Sequence, residues 1–291
     1  PRNLINNFCK VVLILLLPVK TVVLIPLYRN YLLDYEAISI RQNTRILKDF
    51  HIYFISPLKL KNNTKFEELV KKYKTPVHYF DDKFFKNING YNKLMLNLEF
   101  YKFYIRYDFM LICQLDALVL FDRLDYWVKQ NYDYIGAPWL VKSDNPYFDS
   151  MGNGGFSLRK IQSFILVLTS SDFFYSSDKY ICLPVRLGLK NLFLLRAINK
   201  LNKACHKINY LRFFLMIYNT NEDYFWAFLA KFFINDFILP SPKTALRFSF
   251  EVEPKQCYKL NNNKLPFGCH AFQKYDIDFW TQNIPEIKNI K

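Results

Sequence analysis

Residues 109 to 119 read FMLICQLDALV, and this stretch decides the fold. Five apolar side chains run without interruption from Phe109 to Cys113 and then meet Gln114-Leu115-Asp116. A short continuous apolar run that stops on polar residues is the pattern of a strand buried on both faces, as in a parallel sheet. Working upstream, Thr21 to Pro26 (TVVLIP), His51 to Ser56 (HIYFIS) and Pro76 to Phe80 read as three further strands. Between them Leu33, Ala37, Ile40 and Leu47 recur at helical spacing, and Phe66 to Tyr73 suggests a short helix. Leu94, Leu98, Tyr101 and Ile105 mark one more amphipathic helix before the Phe109 strand. Strand and helix in alternation predict a parallel α/β sheet with right-handed crossovers. Ligands bind such sheets beyond the carboxyl ends of the strands. That rule selects Pro26, Leu27 and Tyr28, then Ser56, then Asp81 and Asp82, and finally Gln114 and Asp116.

Downstream of Asp116 the pattern becomes irregular. Gly152, Gly154 and Gly155 place three of the chain's seven glycines within four positions, where a backbone can approach a ligand closely. Asn221-Glu222-Asp223 opens a helix expected over Asp223 to Phe233. Acidic residues there suit the positive end of a helix, and a carboxylate there also suits a general base. Asn92-Lys93 is read as the first turn of the helix before the Asp116 strand, where the lysine is expected either to reach a diphosphate or to stand solvated on the surface. Asp82 is expected either to hold a base or ribose hydroxyl or to cap a turn.

With 51% hydrophobic residues in 291, the chain buries a full core, as one large domain or two small ones. The formal charge of +15 asks for an anionic partner: nucleic acid, an anionic membrane surface or a phosphorylated substrate. No helix-turn-helix, RNP or zinc-finger pattern is present, so nucleic acid is not the expected partner, though a basic nucleic-acid-binding protein remains the third-ranked reading. From Leu183 to Leu215 there is no acidic residue, while seven Lys and Arg alternate with Leu, Ile and Phe. This predicts a basic helical insertion over about 183–217, either a peripheral membrane contact or a solvated helix face. Val11 to Leu17 is too short to span a bilayer and predicts an apolar helix or extension over 1–19. Six scattered cysteines without a CxxC pair fit a reducing compartment and a cytoplasmic protein, and the basic stretch suggests the cytoplasmic face of the inner membrane.

Several stretches together resemble a family of bacterial and viral glycosyltransferase-like domains of unknown function. They are VVLIPLYRN at Val22, YFISP at Tyr53, FDDKFFKNINGYNKLM at Phe80, QLDALVLFDRLDYW at Gln114, YDYIGAPW at Tyr132, GNGGFSLRK at Gly152, NEDYFW at Asn221, FSFEVEP at Phe248 and LPFGCHAF at Leu265. The matches run in order from Val22 to Trp280. The resemblance implies a GT-A-like domain over 20–291: a single Rossmann-like mixed sheet flanked by helices, with a donor half at about 20–122 and an acceptor half at about 123–280. It further implies transfer of a sugar from a nucleotide-sugar donor to a glycan or lipid-linked acceptor.

Aligned with the GT-A pattern that the resemblance implies, the frame QLDALV places Asp116 at the last acid of a DxD-type motif, and the resemblance implies His270 as the late histidine that joins it on Mn²⁺ or Mg²⁺. A cation there stabilises the charge that develops on the departing diphosphate. Gln114 stands where the first acid would be, and an amide gives a cation only a neutral ligand. That departure keeps a catalytically silent sugar-binding relative in view. Gly154 and Gly155 fall on the donor-sugar strand, and the acidic pair after it implies Asp223 as base for inversion, with Glu222 as its alternate.

Overall fold

The computed structural model describes residues 19–141, 146–170 and 220–284, and singly 211, 215, 218 and 287. The apolar run at 11–17 and nearly all of the basic segment at 183–217 lie outside the described residues.

The apolar run of the opening motif is strand β4, flanked on one side by three strands of the same direction. These are β1 (Thr21–Pro26), β2 (His51–Pro57) and β3 (Val77–Phe80), with β4 at Phe109–Cys113. Every residue of β1 and β4 is buried, which is why neither alternates polar and apolar. Their connections include helices α1 (Asp34–Ile46), α2 (Thr64–Tyr73), α3 (Ile88–Met95) and α4 (Leu98–Phe103). On the far side of β4 the direction reverses. Strand β9 (Phe156–Lys160) runs antiparallel to β4 and pairs in turn with β6 (Tyr134–Ile135). The six-stranded order is β3-β2-β1-β4-β9-β6, so the sheet is mixed and mostly parallel, in the expected α/β class.

A second, three-stranded sheet is made of pieces two residues long. Strand β10 (Ser249–Phe250) pairs parallel with β11 (Gly268–Cys269), and β11 pairs antiparallel with β5 (Leu118–Val119). A hairpin of β7 (Pro138–Val141) and β8 (Tyr147–Met151) completes the described strands. Cys113, Cys257 and Cys269 are buried free thiols.

Two helix expectations need correction. The single helix read through Leu94, Leu98, Tyr101 and Ile105 is two, α3 and α4, interrupted at Leu96-Asn97. Asn97 restarts the chain: its Oδ1 accepts the N–H of Glu99 at 2.8 Å and of Phe100 at 3.4 Å. The helix expected over Asp223–Phe233 is one α turn, Glu222–Tyr224, which widens to a π turn at Phe225–Leu229 and tightens to a 3₁₀ turn at Ala230–Phe232. Among the described residues no helix is long and apolar enough to cross a membrane.

Candidate active site

Strand directions gather the polar residues. Strand β4 ends at Cys113, so Gln114 and Asp116 emerge at the carboxyl edge of the large sheet, beside the end of β1 at Pro26. Strand β9 enters from that same edge, which brings Gly154 and Gly155 alongside. The amide of Gln114 donates to the carbonyl of Gly155 at 2.8 Å, extending the β4–β9 ladder by one rung. On the small sheet, β10 and β11 are parallel with Phe250 opposite Cys269. The residue after each strand, Glu251 and His270, therefore leaves at the same end.

Together these residues line a cleft of about 500 Å³. Its walls include Pro26, Tyr28, Glu36, Lys86, Tyr91, Gln114, Asp116, Asn153, Gly154, Gly155, Glu222, Asp223, Glu251 and His270. At its centre is His270. Its Nε2 lies 3.3 Å from Asp116 Oδ1 and 3.4 Å from Gln114 Oε1, and its Nδ1 lies 2.9 Å from Glu251 Oε1. Burial works against a charged imidazole, but hydrogen bonds and charges from Asp116 and Glu251 outweigh it and raise the pKa of His270 to about 10. Burial likewise pushes the Asp116 carboxyl up, and His270 more than reverses this, holding it below the usual carboxylate range.

The glycine turn is shaped by Asn153. Its Oδ1 accepts the N–H of Gly155 at 2.8 Å and of Phe156 at 2.7 Å, and its backbone N–H donates to the buried Tyr134 hydroxyl at 2.8 Å. The turn has no room for side chains. A Cβ on Gly155 would stand 1.9 Å from His270 Nε2, and one on Gly154 would stand 2.7 Å from Glu222 Oε1.

The acidic pair divides. Glu222 is buried and bound by both terminal nitrogens of Arg159, at 2.7 and 3.1 Å, and Arg159 is itself fully buried and also donates to Tyr101 and Ser157. A carboxylate with both oxygens committed to a guanidinium is a structural anchor, so the sequence-based alternate base is corrected to that role. Asp223 is different. Burial first, then the charges of Glu222 and Glu251, raise its carboxyl to about 7. Helix α3 holds this segment in place, since the Asn92 side chain contacts Asn221 and the amide of Glu222, each at 3.4 Å.

Four expected donor contacts are elsewhere. Leu27 is buried in the core, and the Ser56 hydroxyl donates to its carbonyl at 2.6 Å, so neither lines the cleft. Asp82 accepts the N–H of Lys59 at 2.8 Å and so ties down the turn after β2, while the cap of the turn that follows β3 is Asp81, which accepts the N–H of Lys83 at 2.9 Å. Lys93 stands exposed in the last turn of α3 rather than the first, because that helix is capped six residues earlier by Asn87; the lysine at the cleft is Lys86. Sequence reasoning gave no role to Lys86, Asn153 or Glu251. Glu251 carried one signal, its place in FSFEVEP.

Donor atoms at neighbouring positions of an octahedral ion, held at about 2.0–2.2 Å, lie roughly 2.8–3.1 Å from each other. Asp116 Oδ1 at 3.3 Å and Gln114 Oε1 at 3.4 Å from His270 Nε2 stand slightly wider than that, so the three groups would draw together on an ion. One carboxylate, one imidazole and one amide oxygen suit a hard divalent ion with positions left open for phosphate. Among the described residues no group of three His, Cys, Asp or Glu could hold a metal, so a third protein ligand would be the amide.

No curated protein matches the sequence. Among solved structures, the chain is similar to 4-diphosphocytidyl-2C-methyl-D-erythritol synthase from Anaerococcus prevotii, with 11% identity and a TM-score of 0.32 over 56% of this chain and 77% of that one. It is similar to the mannosyltransferase Ktr4p from S. cerevisiae, with 16% identity and a TM-score of 0.30 over 43% of this chain and 40% of that one. It is also similar to the PaToxG glycosyltransferase, with 12% identity and a TM-score of 0.30 over 60% of this chain and 64% of that one. The family model described as "Protein of unknown function (DUF5672)" matches residues 74–270, a span that takes in Gln114, Asp116, the glycine turn, Asp223 and Glu251 and closes on His270. The chain belongs to that family.

Proposed function

We propose that the protein is a glycosyltransferase that moves a sugar from a nucleotide-sugar donor to a hydroxyl of a glycan or lipid-linked acceptor, with inversion. The observation that carries this reading is one cleft holding two distinct chemistries. One is the Gln114–Asp116–His270 cluster beside the glycine turn; the other is Asp223, a carboxyl raised to about 7 because burial and the charges of Glu222 and Glu251 outweigh the opposing charge of Arg159. In the proposed step the acceptor oxygen forms a bond to C1 of the donor sugar as the bond from C1 to the diphosphate breaks. Asp223 takes the acceptor proton, and the diphosphate leaves with the electron pair. Bound by Asp116 and His270 with Gln114 beside them, Mn²⁺ or Mg²⁺ would supply neutralising charge to the diphosphate. Lys86, exposed among the residues that line the cleft, adds a cation to it.

The division into a donor half over 20–122 and an acceptor half over 123–280, and a membrane contact through 183–217 at the cytoplasmic face, belong to this proposal. Gln114 favours a second reading, a sugar-binding relative without turnover, because a neutral amide weakens the cation site. A panel of nucleotide sugars with Mn²⁺, assayed for nucleoside diphosphate release and for thermal shift, separates the two. Release that is lost in Asp116→Ala supports transfer. A thermal shift without release supports the second reading, and no shift with any donor defeats both.

A further inference from the structure

We infer that Glu251 is a positioning residue, holding the His270 ring by Nδ1 so that Nε2 is turned onto Asp116 and Gln114. The inference rests on the transferase reading for its purpose and on geometry for its content. Parallel pairing of β10 with β11 sets Phe250 opposite Cys269, which delivers Glu251 and His270 side by side from two separate segments. The carboxylate of Glu251 then lies 2.9 Å from Nδ1. At that distance a bare nitrogen lone pair would face a carboxylate oxygen, so Nδ1 carries a proton and donates it.

Asn153 also faces Nδ1, with its amide nitrogen at 3.1 Å. Its amide oxygen is already taken by the N–H groups of Gly155 and Phe156, so only a donor is presented there. Such a donor would pair with an unprotonated Nδ1, but the shorter contact is to the carboxylate of Glu251, and that charge-assisted bond decides for a protonated Nδ1. Opposite nitrogens of one ring face opposite ways, so Glu251 is not a ligand of an ion on Nε2. A carboxylate behind a ligating histidine fixes its orientation and strengthens it as a ligand. Both side chains are mostly shielded, with 14% of the His270 and 21% of the Glu251 side chain exposed, so water competes weakly for this bond.

The test compares Glu251→Ala and Glu251→Gln in the full chain by three measurements. These are Mn²⁺ affinity by electron paramagnetic resonance, the slowly exchanging Nδ1 proton of His270 by NMR, and nucleoside diphosphate release. The chain has four histidines, so the resonance is assigned by its loss in His270→Gln. Glu251→Ala should lose that resonance and weaken Mn²⁺ binding by about 10- to 100-fold. Glu251→Gln keeps an oxygen acceptor and should retain the resonance, with Mn²⁺ affinity within about threefold of wild type. Should Glu251→Ala not fold, Glu251→Asp, one methylene short, takes its place.

An unchanged resonance and unchanged Mn²⁺ affinity in the shortened variant would overturn the proposal. So would Glu251→Gln losing turnover with both of those readouts intact, since Glu251 would then be acting on substrate. If the wild type binds no Mn²⁺, the metal reading fails by itself. The Nδ1 proton still decides the positioning role, and its survival in the shortened variant overturns it.

Discussion

Asp223 is the residue whose protonation state governs the proposed reaction. Its carboxyl is raised to about 7, and a base must be unprotonated to act, so kcat/KM should rise with pH through about 7 and level off above it. Asp223→Asn should remove that limb and lower kcat by at least about 100-fold while donor binding persists. The same shift has a stability consequence. An unfolded aspartate titrates near about 3.9, so between about pH 4 and 7 the folded state binds more protons and loses stability as pH rises. Asp223→Asn should therefore melt at about the wild-type temperature near pH 4 and several degrees above it at pH 8. A gap that does not grow with pH would show that the carboxyl is not raised. Gly155→Ala tests the other side of the cleft. Its methyl would meet His270 Nε2 at 1.9 Å and Cε1 at 2.5 Å, so the ring must move. Mn²⁺ affinity should drop by more than about tenfold, with about 1–3 kcal/mol of stability lost to overpacking. At this scale the sequence showed Asp116, His270, the glycine turn and Asp223, because each sits in a local motif. Glu251 and Lys86 also fall inside matched stretches, but their places at the cleft come from strand register and from a helix start.

The elements show why some boundaries were readable and others were not. Leu94, Leu98 and Tyr101 keep one phase, so the apolar period runs across a break that the backbone does make. Periodicity reports which face is buried, whereas continuity of the helix depends on caps. Asn97 supplies the cap of α4, and Asn97→Ala should cost about 1 kcal/mol in denaturant unfolding while leaving the pH profile of transfer unchanged. The start of α3 bears more directly on the site, since its cap is Asn87 and Lys93 therefore falls in the last turn. Strands β5, β10 and β11 are each two residues long, too short for any period to register. Yet they deliver Glu251 and His270. The long buried strands, by contrast, declared themselves as apolar runs, and with them the α/β class and the sheet edge where the cleft lies.

Across the whole molecule the distribution of charge separates the readings that net charge could not. The chain carries 40 Lys and Arg against 25 Asp and Glu, but the cleft reverses this excess. Glu36, Asp116, Glu222, Asp223 and Glu251 line it, against Lys86 and His270. Arg29 and Arg159 neutralise Glu36 and Glu222. His270 is shared between Asp116 and Glu251, so its charge offsets only one of them. Lys86 is then left to meet whatever anion enters, with Asp223 opposing it whenever ionised. A bare diphosphate gains little from such a surface, and a nucleic-acid backbone gains less. In the proposed site a divalent cation held by Asp116, Gln114 and His270 would change the sign of the cleft where those three residues converge. Nucleoside diphosphate binding, measured by calorimetry, should therefore weaken at least about tenfold when EDTA replaces Mn²⁺. Binding of heparin or single-stranded DNA to the basic exterior should fall steeply with salt and leave nucleotide affinity unchanged. Equal nucleotide affinity with and without chelator would mean that Lys86 and His270 suffice for the diphosphate. Displacement of nucleotide by the polyanion would mean that the basic surface and the cleft are one site, and the transferase reading would lose its electrostatic support.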